Sequence, residues 1–127
     1  MVMARVLVVD DVEIVFSAFK EDLASGDFQI DTALSGDSAL EKAKSTIYDI
    51  IFIDLFMPGM DGVQTCTALH EISPESKLVA FTGNIYTGLI HKEIEFKRAG
   101  GEIHFLYKPF LKGEIRNIAK QLLQRSN

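Results

Sequence analysis

The sequence predicts an α/β fold in which a parallel sheet is covered by helices on both faces. Three observations carry this. Five short apolar runs alternate with segments of helical periodicity, the βαβ pattern. Two of the runs, Val6-Leu7-Val8-Val9 and Ile50-Ile51-Phe52-Ile53, are apolar at every position, as strands buried on both faces are. No repeat, low-complexity tract or linker interrupts the alternation. Right-handed crossovers then stack helices on each side of one sheet.

The elements follow in order. The first strand is expected over Arg5–Val9 and ends on Asp10-Asp11. Val12, Val15, Phe16, Phe19 and Leu23 fall at helical spacing after it. The second strand, Gln29–Leu34, alternates polar and apolar residues, which places it nearer a sheet edge. Ser35 suits an N-cap for a helix carrying Ala39, Leu40 and Ala43. The third strand, Ile50–Ile53, delivers Asp54 into a loop marked by Pro58 and Gly59. A third helix carries Cys66, read as a small core residue. The fourth strand, Lys77–Phe81, is followed by Thr82, and the fifth, His104–Tyr107, by Lys108-Pro109. Ile115, Ile118, Ala119, Leu122 and Leu123 form the apolar stripe of a last helix.

The bulk numbers exclude several function classes. A chain of 127 residues is expected to be one domain, 1–127, and its last helix reaches the chain end. Its 47% hydrophobic and 24% charged residues are an ordinary globular balance, with enough apolar mass for a core. A lone Cys66 excludes an internal disulfide and fits a reducing cytoplasm. The net charge of −5 argues against a general nucleic-acid binder. No apolar run approaches the roughly 20 residues of a membrane span. The N-terminus runs straight into charge and lacks a cleavage region, so it reads as a strand and not a signal peptide.

In a parallel α/β sheet, ligands bind beside the C-terminal ends of the strands. Asp10, Asp11, Asp54, Thr82 and Lys108 all end strands, so the fold gathers them at one edge. Each alone has a structural reading. Asp10-Asp11 suits a helix cap, Thr82 is a good strand residue, and Lys108-Pro109 reads as a turn. Together they pose a physical problem, because crowded carboxylates repel and raise one another's pKa. A divalent cation resolves it, and a few carboxylate oxygens with places left for water and phosphate suit Mg²⁺. A carboxylate is also a nucleophile that forms an acyl phosphate. Phosphoryl transfer then needs in-line positioning and neutralisation of the equatorial oxygens, which Lys108 and Thr82 are chemically able to supply.

The stretches VLVVDD, IDLFMPGMDG, FTGN and FLYKPF, spread over essentially the whole chain, resemble the receiver domain of two-component response regulators, chemotaxis receivers included. The resemblance implies a doubly wound (βα)5 flavodoxin-like sandwich with strand order 2-1-3-4-5. It implies that Asp54 is the phosphoacceptor, and that Asp10, Asp11, Asp54 and the backbone carbonyl of Phe56 hold Mg²⁺. Thr82 would hydrogen-bond the phosphoryl group and Lys108 would pair with it, aimed by a cis bond to Pro109. Pro58, Gly59 and Gly62 would shape the acceptor loop. The implied function is signalling in a phosphorelay and not turnover of external substrates. The donor would be a histidine kinase or histidine phosphotransfer protein, and a downstream protein would read the switched surface. A homodimer through the helix 4–strand 5–helix 5 face is a further implied possibility.

Three departures stand out. The switch aromatic aligned back from Lys108 is Phe105, where the family usually has Tyr, so a switch here would be steric only. The segment from Thr82 to Lys108 is longer than usual, with the excess expected in GNIYTGL or at the paired glycines of RAGGEI. Phe56 and Asn84 would flank the phosphoryl group, and Phe56 offers no polar group to orient water, which predicts a long-lived phosphoryl. Competing readings are an aspartyl-phosphate phosphatase, a flavin or nucleotide binder, and a degenerate receiver acting as a constitutive interaction module. The first wants an acid where Phe56 stands. The second wants a glycine-rich loop where Asp10-Asp11-Val12-Glu13 stands. The complete acceptor–metal–Thr–Lys set argues against the third.

Overall fold

The structure is a computed structural model that describes residues 3–83 and 88–124. Five strands alternate with five helices: β1 (Ala4–Val9), α1 (Val15–Asp22), β2 (Phe28–Ala33), α2 (Gly36–Ser45), β3 (Ile50–Asp54), α3 (Gly62–Ile72), β4 (Lys77–Thr82), α4 (Leu89–Arg98), β5 (Phe105–Tyr107) and α5 (Glu114–Gln124). All neighbouring strands are parallel, in the order β2-β1-β3-β4-β5. The alternating strand β2 lies at an edge, as its pattern predicts.

Side chains alternate across each strand, so the two sheet faces bury separate cores. Leu7, Val9, Ile51, Ile53, Leu78 and Ala80 face α2, α3 and α4, which contribute Ala39, Ala43, Cys66, Leu69 and Phe96. Val6, Val8, Ile50, Phe52, Val79 and Phe81 face α1 and α5, which contribute Phe16, Phe19, Ile115, Ala119 and Leu122. Phe19 is the hub of the second face, with its ring 5.1 Å from Phe52, 5.2 Å from Phe81 and 5.2 Å from Phe110. Each fully buried phenylalanine contributes about 2 kcal/mol in transfer alone. The central strand β3 is buried at every residue, Asp54 included.

The helix starts differ in ways that matter later. Ser35 caps α2, its hydroxyl accepting the Ser38 amide at 3.1 Å. α3 opens with a capping box: Asp61 accepts the Gln64 amide at 2.9 Å, and the Gln64 side chain accepts the Asp61 amide at 2.9 Å. α4 starts from Gly88 without a side-chain cap. α1 begins at Val15, later than its apolar stripe suggests, and Val12 is left 47% exposed. The paired glycines of RAGGEI form a tight corner. Gly100 has φ +112°, and a Cβ on Gly101 would lie 2.2 Å from the Phe96 ring. Packing against the Phe96 ring and the His70 side chain fixes that corner. The GNIYTGL expectation falls mainly on residues 84–87, outside the described residues.

Candidate functional site

The buried strands β1 and β3 carry their acids to one point. Asp10 directly follows β1 and is fully buried, Asp54 ends β3 at 5% exposure, and Asp11 is exposed beside them. Oxygen atoms of the three carboxylates lie within 4.8 Å of one another. Asp10 uses both oxygens. Oδ1 accepts the Val12 amide at 2.9 Å, and Oδ2 accepts from Lys108 Nζ at 3.1 Å. That turn is local to Asp10, since the N-cap of α1 is Ile14 and carries no side-chain bond. The same ammonium stands 3.9 Å from Asp54 Oδ2. The other Asp54 oxygen, Oδ1, accepts the Phe56 amide at 3.1 Å.

Lys108 reaches this point along a shaped path. The peptide bond to Pro109 is cis. The ammonium lies 5.3 Å from the centroid of the Phe81 ring. A Cβ on Gly83 would lie 3.3 Å from Lys108 Cδ, so a larger residue there would press on the stem. The Lys108 amide donates to the Thr82 carbonyl at 2.9 Å, tying the ends of β4 and β5 together. Thr82 is buried at the end of β4, and Phe105 is half-buried with its ring 6.3 Å from that of Phe96.

The loop after Asp54 is held by Gly62. Gly62 donates to the Leu55 carbonyl at 3.1 Å. A Cβ on Gly62 would stand 2.4 Å from the Asp54 carbonyl oxygen and 2.6 Å from Leu55 Cα. The start of α3 therefore lies directly on the backbone of Asp54 and Leu55. Burial pushes the Asp54 carboxyl up from 3.8 to about 7; the Phe56 amide and Lys108 pull it down, and Asp10 pushes it further up. Cys66 is buried in the α3 core and burial raises its thiol to about 12, which is the inert packing role expected of it.

All five strand-end residues singled out in the sequence, Asp10, Asp11, Asp54, Thr82 and Lys108, thus sit at one edge of the sheet. A model of the response regulator receiver domain matches residues 6–120. The chain belongs to that family. This receiver is 32% identical over 121 residues to the transcriptional regulatory protein PrrA of Mycobacterium leprae, covering 95% of the chain and 50% of PrrA. It is also 32% identical over 134 residues to hybrid signal transduction histidine kinase L of Dictyostelium discoideum, covering 98% of the chain and 8% of the kinase. Among solved structures it is similar to the chemotaxis protein CheY4 of Vibrio cholerae, with a TM-score of 0.83 and 26% identity over 94% of this chain and 98% of that one. The chain spans about half the length of PrrA.

The donor set of the receiver fits a hard divalent cation. All three side chains offer oxygen, the atoms are close enough to share one ion, and the Asp10 charge adds to the burial that raises the Asp54 pKa. Sequence reasoning did not single out Gly83 or Phe81, the neighbours of the Lys108 side chain. The stretch FTGN contains both, but their role depends on a side chain that arrives from another strand. Asn84 lies outside the described residues. Among the described residues, no helix is long and apolar enough to cross a membrane.

Proposed function

We propose that this receiver accepts a phosphoryl group on Asp54 from a histidine kinase or histidine phosphotransfer protein. An oxygen of Asp54 attacks the phosphorus of the donor's phosphohistidine. The P–N bond breaks as the P–O bond forms, and the imidazole nitrogen leaves with the electron pair. Asp10, Asp11, Asp54 and the Phe56 carbonyl would hold Mg²⁺, which neutralises phosphoryl charge when bound. Lys108 supplies a second positive charge by turning from Asp10 to the phosphoryl oxygens, and Thr82 donates a hydrogen bond. The buried strand β3 keeps the nucleophile in line.

One observation carries this reading. A carboxylate on a fully buried strand faces two further acids within 4.8 Å and an ammonium at 3.9 Å. Phe56 lies where an aspartyl-phosphate phosphatase wants its second acid, so the reading is a switch and not a turnover enzyme. The same apolar residue orients no water, and a slow loss of phosphoryl is expected. The output is a protein contact, a homodimer included, through the face of α4, β5 and α5. Ile90 and Ile94 on α4 and Tyr107 on β5 are exposed there.

The test is intact-protein mass after incubation with acetyl phosphate and Mg²⁺. One added phosphoryl group is expected in the wild type and none in Asp54→Asn. An adduct of equal yield in Asp54→Asn would overturn the assignment.

A further inference from the structure

Helix α4 begins with little local support. Its N-cap is Gly88, no side chain among the described residues caps its first amides, and its first turn has no acidic residue. Helix starts so poor in these features depend on tertiary contacts. Two consecutive residues supply polar contacts in opposite directions. Lys92 Nζ lies 3.6 Å from Asp61 Oδ2, and also 3.6 Å from Glu95 Oε2 on its own helix. Glu93 accepts a hydrogen bond from the Tyr107 hydroxyl.

The far ends of these ties are what gives them meaning. Asp61 closes the loop that starts at Asp54 and caps α3 through its other oxygen. Tyr107 precedes Lys108 in the chain and pairs in register with Thr82. One tie therefore reaches the acceptor loop, and the other reaches the strand end that carries the lysine and neighbours the threonine. We propose that Asp61–Lys92 and Tyr107–Glu93 form a two-point latch that holds α4 in the unphosphorylated receiver and opens when Asp54 is phosphorylated.

The proposal rests on Asp54 as phosphoacceptor. A phosphoryl group there draws Lys108 away from Asp10 and pulls on Thr82, and both displacements are passed to Tyr107 by a peptide bond and by strand pairing. It also adds charge to the loop that ends at Asp61. Both ties are partly exposed, so each is weak by itself. A switch needs contacts of that order, since strong ones would leave only one state populated. The latch also gives β5 a hydroxyl contact with α4 although Phe105 has none. Asp61 raises the Lys92 pKa, as a neighbouring opposite charge does.

Amide hydrogen exchange over residues 89–98 tests the latch. The proteins are the wild type, Tyr107→Phe, Lys92→Gln and the double variant, each with Mg²⁺ alone and with Mg²⁺ and acetyl phosphate. Without donor, exchange in α4 is expected to be about fivefold faster in the double variant than in the wild type, with α3 and α5 unchanged. With donor, the wild type should approach the double variant, which should change little further. Equal α4 exchange in wild type and double variant without donor would overturn the latch, as would an acceleration spread equally over α3 and α5. Intact mass on the same samples separates the two readings. A wild type that takes no phosphoryl sinks the phosphoacceptor role and the release together. One that takes it while α4 exchange stays constant sinks the release alone.

Discussion

Helices α3 and α4 cover the same sheet face but are secured by different physics. α3 starts at a reciprocal capping box, buries Thr65, Cys66 and Leu69, and rests its first glycine on the backbone of Asp54. α4 starts at an uncapped glycine, buries Leu89 and Phe96, and leaves Ile90 57% and Ile94 42% exposed. Beneath α3 lies the central strand β3, buried throughout; beside α4 lies β5, three residues long at the sheet edge. The contrast fits the roles proposed for the two halves. Chemistry that tolerates little displacement sits on the rigid half. A surface that must change sits on the half with less buried apolar contact and fewer local restraints.

The largest effect should come from breaking the rigid half. Phe52→Ala removes a fully buried ring of β3 that packs on Phe19, and should cost about 4 kcal/mol in urea unfolding. A loss below about 1.5 kcal/mol would show that the strand relaxes more easily than its burial implies. Gly62→Ala comes next, because its Cβ would meet backbone and not a flexible side-chain end. A loss of about 2 kcal/mol is expected from overpacking, with slower phosphorylation of Asp54 as its carbonyl is displaced. Unchanged stability and rate would contradict the close approach.

The third effect is on pH dependence. The folded-state pKa of Asp54, about 7, lies above its ordinary 3.8, so the folded chain binds the proton more tightly than the unfolded chain. That stability is complete below the unfolded value and is lost as pH rises through the folded one. In metal-free protein, thermal stability should fall between about pH 4 and pH 7, and the fall should flatten in Asp54→Asn or with Mg²⁺. A wild-type profile that rises through this window, or that Asp54→Asn leaves unaltered, would contradict the burial of the Asp54 carboxyl beside Asp10. The smallest effect belongs to the other half. Ile94→Ala should change stability by no more than about 0.5 kcal/mol while altering partner binding. A loss above about 1.5 kcal/mol would place Ile94 in the core and remove the contrast.

Much of the rigid half was legible in the chain. Ile50-Ile51-Phe52-Ile53 announces a strand buried on both faces, and its last residue, Asp54, draws notice because a lone buried charge is costly. QIDTAL shows its edge position by alternating, and Ser35 shows its capping role by chemistry. The less legible features depend on what lies across space. Val12 keeps helical spacing with Phe16 and Phe19, yet the buried Asp10 carboxylate accepts its amide and the helix starts at Val15. Gly100 and Gly101 look like a slack corner until the Phe96 ring and the His70 side chain are placed beside them. Lys92 and Glu93 look like an ordinary solvated pair on a helix. Only the fold reveals that one points toward Asp61 and the other toward Tyr107.

The pairing of Lys108 with Asp10 also bears on how fast the proposed phosphodonors would arrive. Fixed carboxylates outnumber ammonium groups at the mouth of the crevice, so a free dianionic phosphodonor approaches against a repulsive field until a cation enters. A protein donor of the kind proposed would escape that barrier where its own surface charges complement the rim. Encounter rates with small phosphodonors should therefore climb as added salt screens the mouth. Those with a docked protein should follow the charge of the partner's own docking face.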